Sequence, residues 1–280
     1  MATTLNSTLI PTKYKDDFTD SDGFYRILFN SGRVLQAREL TQAQTLLQSQ
    51  IARFGSNIFQ EGGVVKPGST TLNNSYEFVK LDTTSLSLPG TPASLVGTTF
   101  TGATSAVTAK VLEVVTATGS DPATLFVAYT NAPSGQTGLS TVRFTAGENI
   151  TNGSTTLAVQ TINTDANPAV GRGVQFCIDQ GVYFVKGFFV FTEAQSIIVS
   201  KYNDTVDETV GFKIIEDVVT VDDDPDLFDN QGAVPNISSP GADRFRITLT
   251  LANESELDAS DNFVPLVNIK EGVIIADKNT

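Results

Sequence analysis

Only one stretch of this 280-residue chain, Leu35 to Phe59, repeats apolar residues with a helical period for more than two turns. Elsewhere apolar residues alternate, cluster in short runs, or stop at Gly, Pro, Asn and Asp. That contrast predicts a mainly β protein with antiparallel strands and one long N-terminal amphipathic helix. Within the stretch Leu40, Ala43, Leu47, Ile51, Phe54 and Ile58 stand 3, 4, 4, 3 and 4 residues apart and form one stripe. Gln42, Gln44, Gln48, Gln50 and Arg53 fall largely off it. Such a stripe predicts a face to bury. Glutamine in place of Lys and Glu on the polar side lowers the desolvation penalty of packing that side on another subunit.

Strand signals fill the rest. Tyr76–Leu81 alternates with period two, Val64–Lys66 precedes a Pro-Gly turn, and Phe24–Phe29 reads as a short buried segment closed by Asn30-Ser31-Gly32. Six further runs lie between Val174 and Leu251, and two more, Phe263–Ile269 and Glu271–Ile275, end the chain without a capping feature. The end is therefore expected either to continue in a longer polypeptide or to dock on a partner. Composition turns to Thr, Ser, Pro and Gly at 82–94 and again at 161–168, bracketing a module. Inside it Gly97–Val111 and Gly147–Val159 echo each other, each Gly-x-x-apolar-Thr followed by a small-residue turn and alternation. With Val111–Val115 and Leu125–Tyr129 this makes a small inserted barrel or sandwich. The expected organisation is an extended arm at 1–22, the helix-containing part of a main β domain at 23–82, the inserted module at 83–165 and the remainder of the main domain at 166–280.

Composition closes off much chemistry. The chain has no histidine and one cysteine, which removes Ser-His-Asp and Cys-His catalysis and the ordinary zinc and iron ligand sets. Cys177 stands in an apolar run and reads as a small buried hydrophobe. A net charge of −13 without a Lys/Arg cluster argues against nucleic acid and anionic membranes, and no apolar run is long enough to span a bilayer. Residues 1–10 lack the basic region and apolar run of a secretory leader, so synthesis in a cytoplasm is expected. Asp222–Asp226 with Asp229 offers clustered oxygens, but without the Gly and Glu of an EF-hand loop it reads as solvated. Gly171-Arg172-Gly173 lacks the third Gly of a dinucleotide fingerprint and reads as a turn. Paired carboxylates for glycoside cleavage have no Trp platform to serve them. No enzyme, cofactor or metal is expected.

Three stretches carry a resemblance to a family. Phe24–Gln48 with Arg53-Phe54-Gly55 and Ile58-Phe59 is the first, Gly181–Val190 with Lys201-Tyr202 the second, and Asp223–Leu227, Asp229-Asn230 and Pro240–Arg244 the third. Together they resemble uncharacterised structural proteins of tailed-phage virions, of the cyanophage type. The resemblance implies a component of the tail, at the baseplate or where fibres attach: an adaptor built from several copies, contacting other tail and baseplate proteins, made in the host cytoplasm and residing in the virion. The alternative is a receptor- or carbohydrate-binding module in which 83–165 presents Phe126, Tyr129 and Asn-bearing loops to a glycan. For the adaptor, the subunit interface is expected on the arm and helix, at Arg26, Arg33, Arg38, Leu40, Leu47, Gln48, Ile51, Arg53, Phe54 and Ile58. The four arginines, set in an acidic chain, are read as ion-pair or interface residues.

Overall fold

The computed structural model describes residues 14, 16–82, 92–119, 121–131, 142–229, 234 and 236–278. Among these residues helix α1 (Ala37–Ile58) is followed by seventeen strands in four antiparallel sheets. In chain order the first group is β1 (Gly63–Lys66), β2 (Thr70–Lys80), β3 (Thr99–Gly102), β4 (Thr108–Val115), β5 (Thr124–Asn131), β6 (Asn149–Thr151) and β7 (Thr156–Ala158). The second is β8 (Val170–Ile178), β9 (Gly181–Val185), β10 (Phe188–Thr192), β11 (Gln195–Ser200) and β12 (Glu208–Val219). The last is β13 (Phe228–Asp229), β14 (Asn236–Pro240), β15 (Arg244–Asn253), β16 (Asn262–Lys270) and β17 (Val273–Asp277). The expected mainly β architecture with one long N-terminal helix is what the chain adopts.

The largest sheet runs β11-β8-β2-β5-β4-β3-β6-β7, so β2 pairs with the main body through β8 and with the 83–165 segment through β5. The far end curls back. Leu81 bridges Val159, Asp82 N–H donates to the Ala158 carbonyl at 2.9 Å, and Gln160 N–H donates to the Lys80 carbonyl at 2.8 Å. Closure removes the free edges an open sheet would leave and makes a small barrel filled by Val79, Leu81, Phe100, Val111, Leu125, Ile150 and Leu157. The two echoed hairpins, β3–β4 and β6–β7, lie side by side through β3 and β6, with Phe100 and Ile150 both pointing into the barrel core. Gly97 and Gly147 open them with φ of 84° and 77°, a region costly for a side chain.

The body encloses a second core, contributed by β8 and β11, by the β1-β9-β10 sheet and by the β15-β12-β16-β17 sheet. Phe176, Tyr183, Phe212 and Leu266 lie at its centre, essentially without solvent contact. Gln195 ties two of these layers, its amide donating to the Leu249 carbonyl at 2.8 Å and accepting from Leu251 N–H at 2.9 Å. The Gly171-Arg172-Gly173 triplet, expected to turn, lies inside β8. A Cβ on Gly171 would stand 2.9 Å from the Phe78 ring, and one on Gly173 2.4 Å from the Ser200 carbonyl oxygen, so glycine here admits close neighbours to a strand.

Candidate interaction surface

Helix α1 begins where the Glu39 carboxylate accepts the Gln36 backbone N–H at 2.9 Å, satisfying a donor that the first turn leaves free. It ends at Phe59, and Gly62 then turns the chain with φ 74° into the body, donating to the Phe184 carbonyl at 2.8 Å.

The face that docks is not the apolar stripe. Leu46, Ser49, Ala52 and Gly55 are the helix's buried residues, three apart. Small side chains let the backbone come close: a Cβ on Gly55 would meet the Phe184 ring at 2.3 Å. Phe184 is held by Phe59 and Phe189, at ring-centre distances of 6.0 and 5.3 Å. Gln48 fixes the helix laterally, its amide donating to the Gly187 carbonyl at 2.8 Å.

The described end of the arm, 16–22, bonds along the helix. Asp16 accepts from the Thr45 hydroxyl. Asp17 accepts from Arg38 at 3.4 Å and from the Gln42 amide at 3.2 Å, and Asp20 takes Arg53 and the Ser49 hydroxyl. Three carboxylates thus step along one helix side. Ion pairing is borne out for Arg38 and Arg53, whereas Arg26 and Arg33 lie exposed in the segment before the helix. The stepping carboxylates were missed in the sequence. Their only signal was a run of acids in the arm facing basic and hydroxyl residues spaced three to four apart.

The stripe, read as a face to bury either on its own β domain or against another subunit, is not covered by its own domain: Leu40, Leu47, Ile51, Phe54 and Ile58 are 49%, 63%, 44%, 66% and 59% exposed. Phe24–Phe29, expected as a buried segment, forms neither helix nor strand, and Phe24, Tyr25, Leu28 and Phe29 are all more than half exposed. Among the described residues the helix meets the body through Gly55 on the Phe184 ring and the Gln48–Gly187 hydrogen bond, a close contact that suits small residues, and the stripe lies on another side of the helix. A run of exposed large apolar side chains from Phe24 to Ile58 is more than scattered surface hydrophobes.

The other candidates resolve into structure. Phe126 is fully buried and stacks on Tyr76 at 4.7 Å, and Tyr129 packs edge-on against Phe144 at 5.4 Å, its oxygen accepting Phe144 N–H at 3.3 Å. Neither ring is free to stack on a sugar, a correction to the glycan-platform expectation for those two residues. Asp223 accepts from the Thr220 N–H and hydroxyl, which hold its carboxyl below the usual range, and Asp224 caps a short turn by accepting Asp226 N–H. Among the described residues no three Cys, Asp or Glu gather as they would around a metal ion. Cys177 is half-buried and burial pushes its thiol up, away from nucleophilic use. Lys80 is 4% exposed, donates to Asn167 Oδ1 at 2.7 Å and sits 3.9 Å from the centre of the Tyr202 ring; burial pulls its pKa down. Glu77 receives both Arg143, at 2.7 and 2.8 Å, and Arg172 at 2.9 Å, fastening the loop before β6 to the sheet. Among the described residues no helix is long and apolar enough to cross a membrane.

A family model described as a domain of unknown function, DUF4815, matches residues 12–127 and 148–280, and the chain belongs to that family. The match takes in both the helix and most of the barrel, so the barrel is part of what the family shares. No curated protein and no solved structure is significantly similar to the chain.

Proposed function

We propose that this protein is a structural component of a phage tail, an adaptor at the baseplate or at the fibre attachment, which assembles through its arm and helix rather than catalysing a reaction. The observation that carries the reading is the uncovered apolar surface from Phe24 to Ile58 on a chain whose other layers close over two well-filled cores. A soluble monomer gains nothing from leaving Leu47 and Phe54 in water; at about 25 cal/mol per Å2 of apolar area, covering them on assembly is favourable. The absence of histidine and the family resemblance in Phe24–Gln48 support the same role.

The reading is tested in a tailed phage that encodes the chain. Antibody raised against the purified protein should label intact particles at the tail, and Leu47→Glu with Ile51→Glu should yield particles lacking tails or fibres. Purified particles free of the protein would refute the assignment.

A further inference from the structure

Resting on that assembly reading, we propose that the exposed face of α1 binds the same face of a second copy of this chain, in parallel and in register, as a short two-stranded coiled coil. The residues Ala37, Leu40, Gln44, Leu47, Ile51, Phe54 and Ile58 alternate three and four apart without interruption. This is a heptad seam, with Ala37, Gln44, Ile51 and Ile58 at a and Leu40, Leu47 and Phe54 at d. Every one of these positions is exposed, and every buried helix residue, Leu46, Ser49, Ala52 and Gly55, falls at another heptad position.

The charge pattern favours a second copy as the occupant. The flanking e positions are Thr41, Gln48 and Gly55 and the g positions Ala43, Gln50 and Asn57, none of them charged. The helix's charged residues, Arg38, Glu39 and Arg53, stand at b and c, where Arg38 and Arg53 are occupied by Asp17 and Asp20 of the arm and Glu39 by the helix start. Two identical chains of net charge −13 repel on most approaches, and this face is one where they do not. A different helix recognised by charge would leave its mark as Lys or Glu at e and g.

Gln44 sets the orientation. In a parallel, in-register pair it faces Gln44 of the copy, amide to amide, each supplying a donor and an acceptor. Reversed, each a position meets a d position, so Gln44 would face Leu47 or Phe54 and bury an unpaired amide, a cost of about 1–3 kcal/mol. A slip of one heptad places it against Ile51 or Ala37 with the same loss. Isoleucine at a with leucine at d favours two strands. The 22-residue helix is about 33 Å long, and a seam of that length buries less than the roughly 1,200 Å2 of a standard stable interface, so a micromolar pair is expected.

Sedimentation of the full chain should show a concentration-dependent dimer between about 1 and 100 μM, and Leu47→Glu with Ile51→Glu should give a monomer with unchanged circular dichroism. Leu40→Cys in a Cys177→Ser background should form a disulfide-linked dimer on mild oxidation, because Leu40 meets Leu40 only in the parallel arrangement. A chain that stays monomeric at 100 μM, a dimer that survives the paired Glu substitutions, or failure of Leu40→Cys to cross-link overturns the proposal. Monomeric chain combined with loss of tails in the Glu variant would leave the assembly reading standing with a different partner on the seam. Normal tails in that variant would sink both.

Discussion

Gly55→Ala sets two effects of known size against each other. In an exposed helix interior the change stabilises by about 1 kcal/mol, because alanine restricts the unfolded backbone. Here the new Cβ would stand 2.3, 2.8 and 3.1 Å from three atoms of the Phe184 ring, whereas carbon atoms in contact prefer about 3.5–4.0 Å. Phe184 is 2% exposed and wedged between the rings of Phe59 and Phe189, so it has no empty place to turn into. Either the ring or the helix must move by about 1 Å, and overpacking of that kind costs about 1–3 kcal/mol. The clash should win, leaving Gly55→Ala about 1 kcal/mol less stable and Gly55→Val roughly 2–4 kcal/mol less stable. Ser56→Ala, one residue on and exposed, supplies the helix-propensity gain without the clash and should stabilise by a few tenths of a kcal/mol. Urea unfolding followed by circular dichroism, with fluorine NMR of labelled phenylalanine to report Phe184, measures both. If Gly55→Ala stabilises as much as propensity alone allows, the helix does not dock through Gly55.

Three further outcomes follow from other parts of the molecule. Glu148, 5% exposed, accepts from Thr104 N–H, Ser105 N–H, the Ser105 hydroxyl and Thr145 N–H at 2.9, 2.9, 2.7 and 2.6 Å, so Glu148→Gln turns one acceptor oxygen into a donor facing donors. A loss of about 2–4 kcal/mol is expected, with faster amide exchange at Thr104 and Thr145; a change below about 0.5 kcal/mol would refute the account. Burial pushes Tyr183 up to about 12 and raises Tyr76, Tyr129 and Tyr202 as well, so the folded state keeps protons that the unfolded chain surrenders above its ordinary value near 10. Stability should hold up to about pH 9.5 and then fall by about 1 kcal/mol per pH unit for Tyr183 alone, while lowered Lys80 works in the opposite direction below its ordinary 10.5; an unfolding midpoint unchanged from pH 8 to 11 contradicts this. Gln195→Ala removes both links to β15 and should cost about 1–3 kcal/mol, and a neutral result in denaturant melts would show that the layers hold without them.

The strands were legible because their signals are local. Tyr76–Leu81, Val174–Ile178 and Phe263–Ile269 carry period-two or continuous apolar runs bounded by turn residues, and each became part of β2, β8 or β16 with shifts of a few residues. The echo of Gly97 and Gly147 announced two equivalent hairpins because both need a positive φ at the same place, which glycine supplies. Less legible were pieces whose meaning lies in a distant neighbour. Gly171 and Gly173 look like a turn until Phe78 and the Ser200 carbonyl arrive from other strands. Phe126 and Tyr129 look like a binding platform until Tyr76 and Phe144 cover them.

The helix divides the two kinds of information most sharply. Residues 36–62 by themselves determine that a helix forms, where it starts and that one side of it is apolar, since spacing, the Gln36–Glu39 exchange and the Gly62 turn are properties of neighbours in sequence. Which side meets the body was decided by Phe184, some 130 residues away, together with the carboxylates of Asp16, Asp17 and Asp20. Gly55 lets the helix backbone sit on the Phe184 ring more closely than a larger side chain there would allow, so the small-residue side docks and the apolar seam faces outward. An amphipathic pattern states that a face will be covered; only the tertiary structure determines whether the same chain covers it.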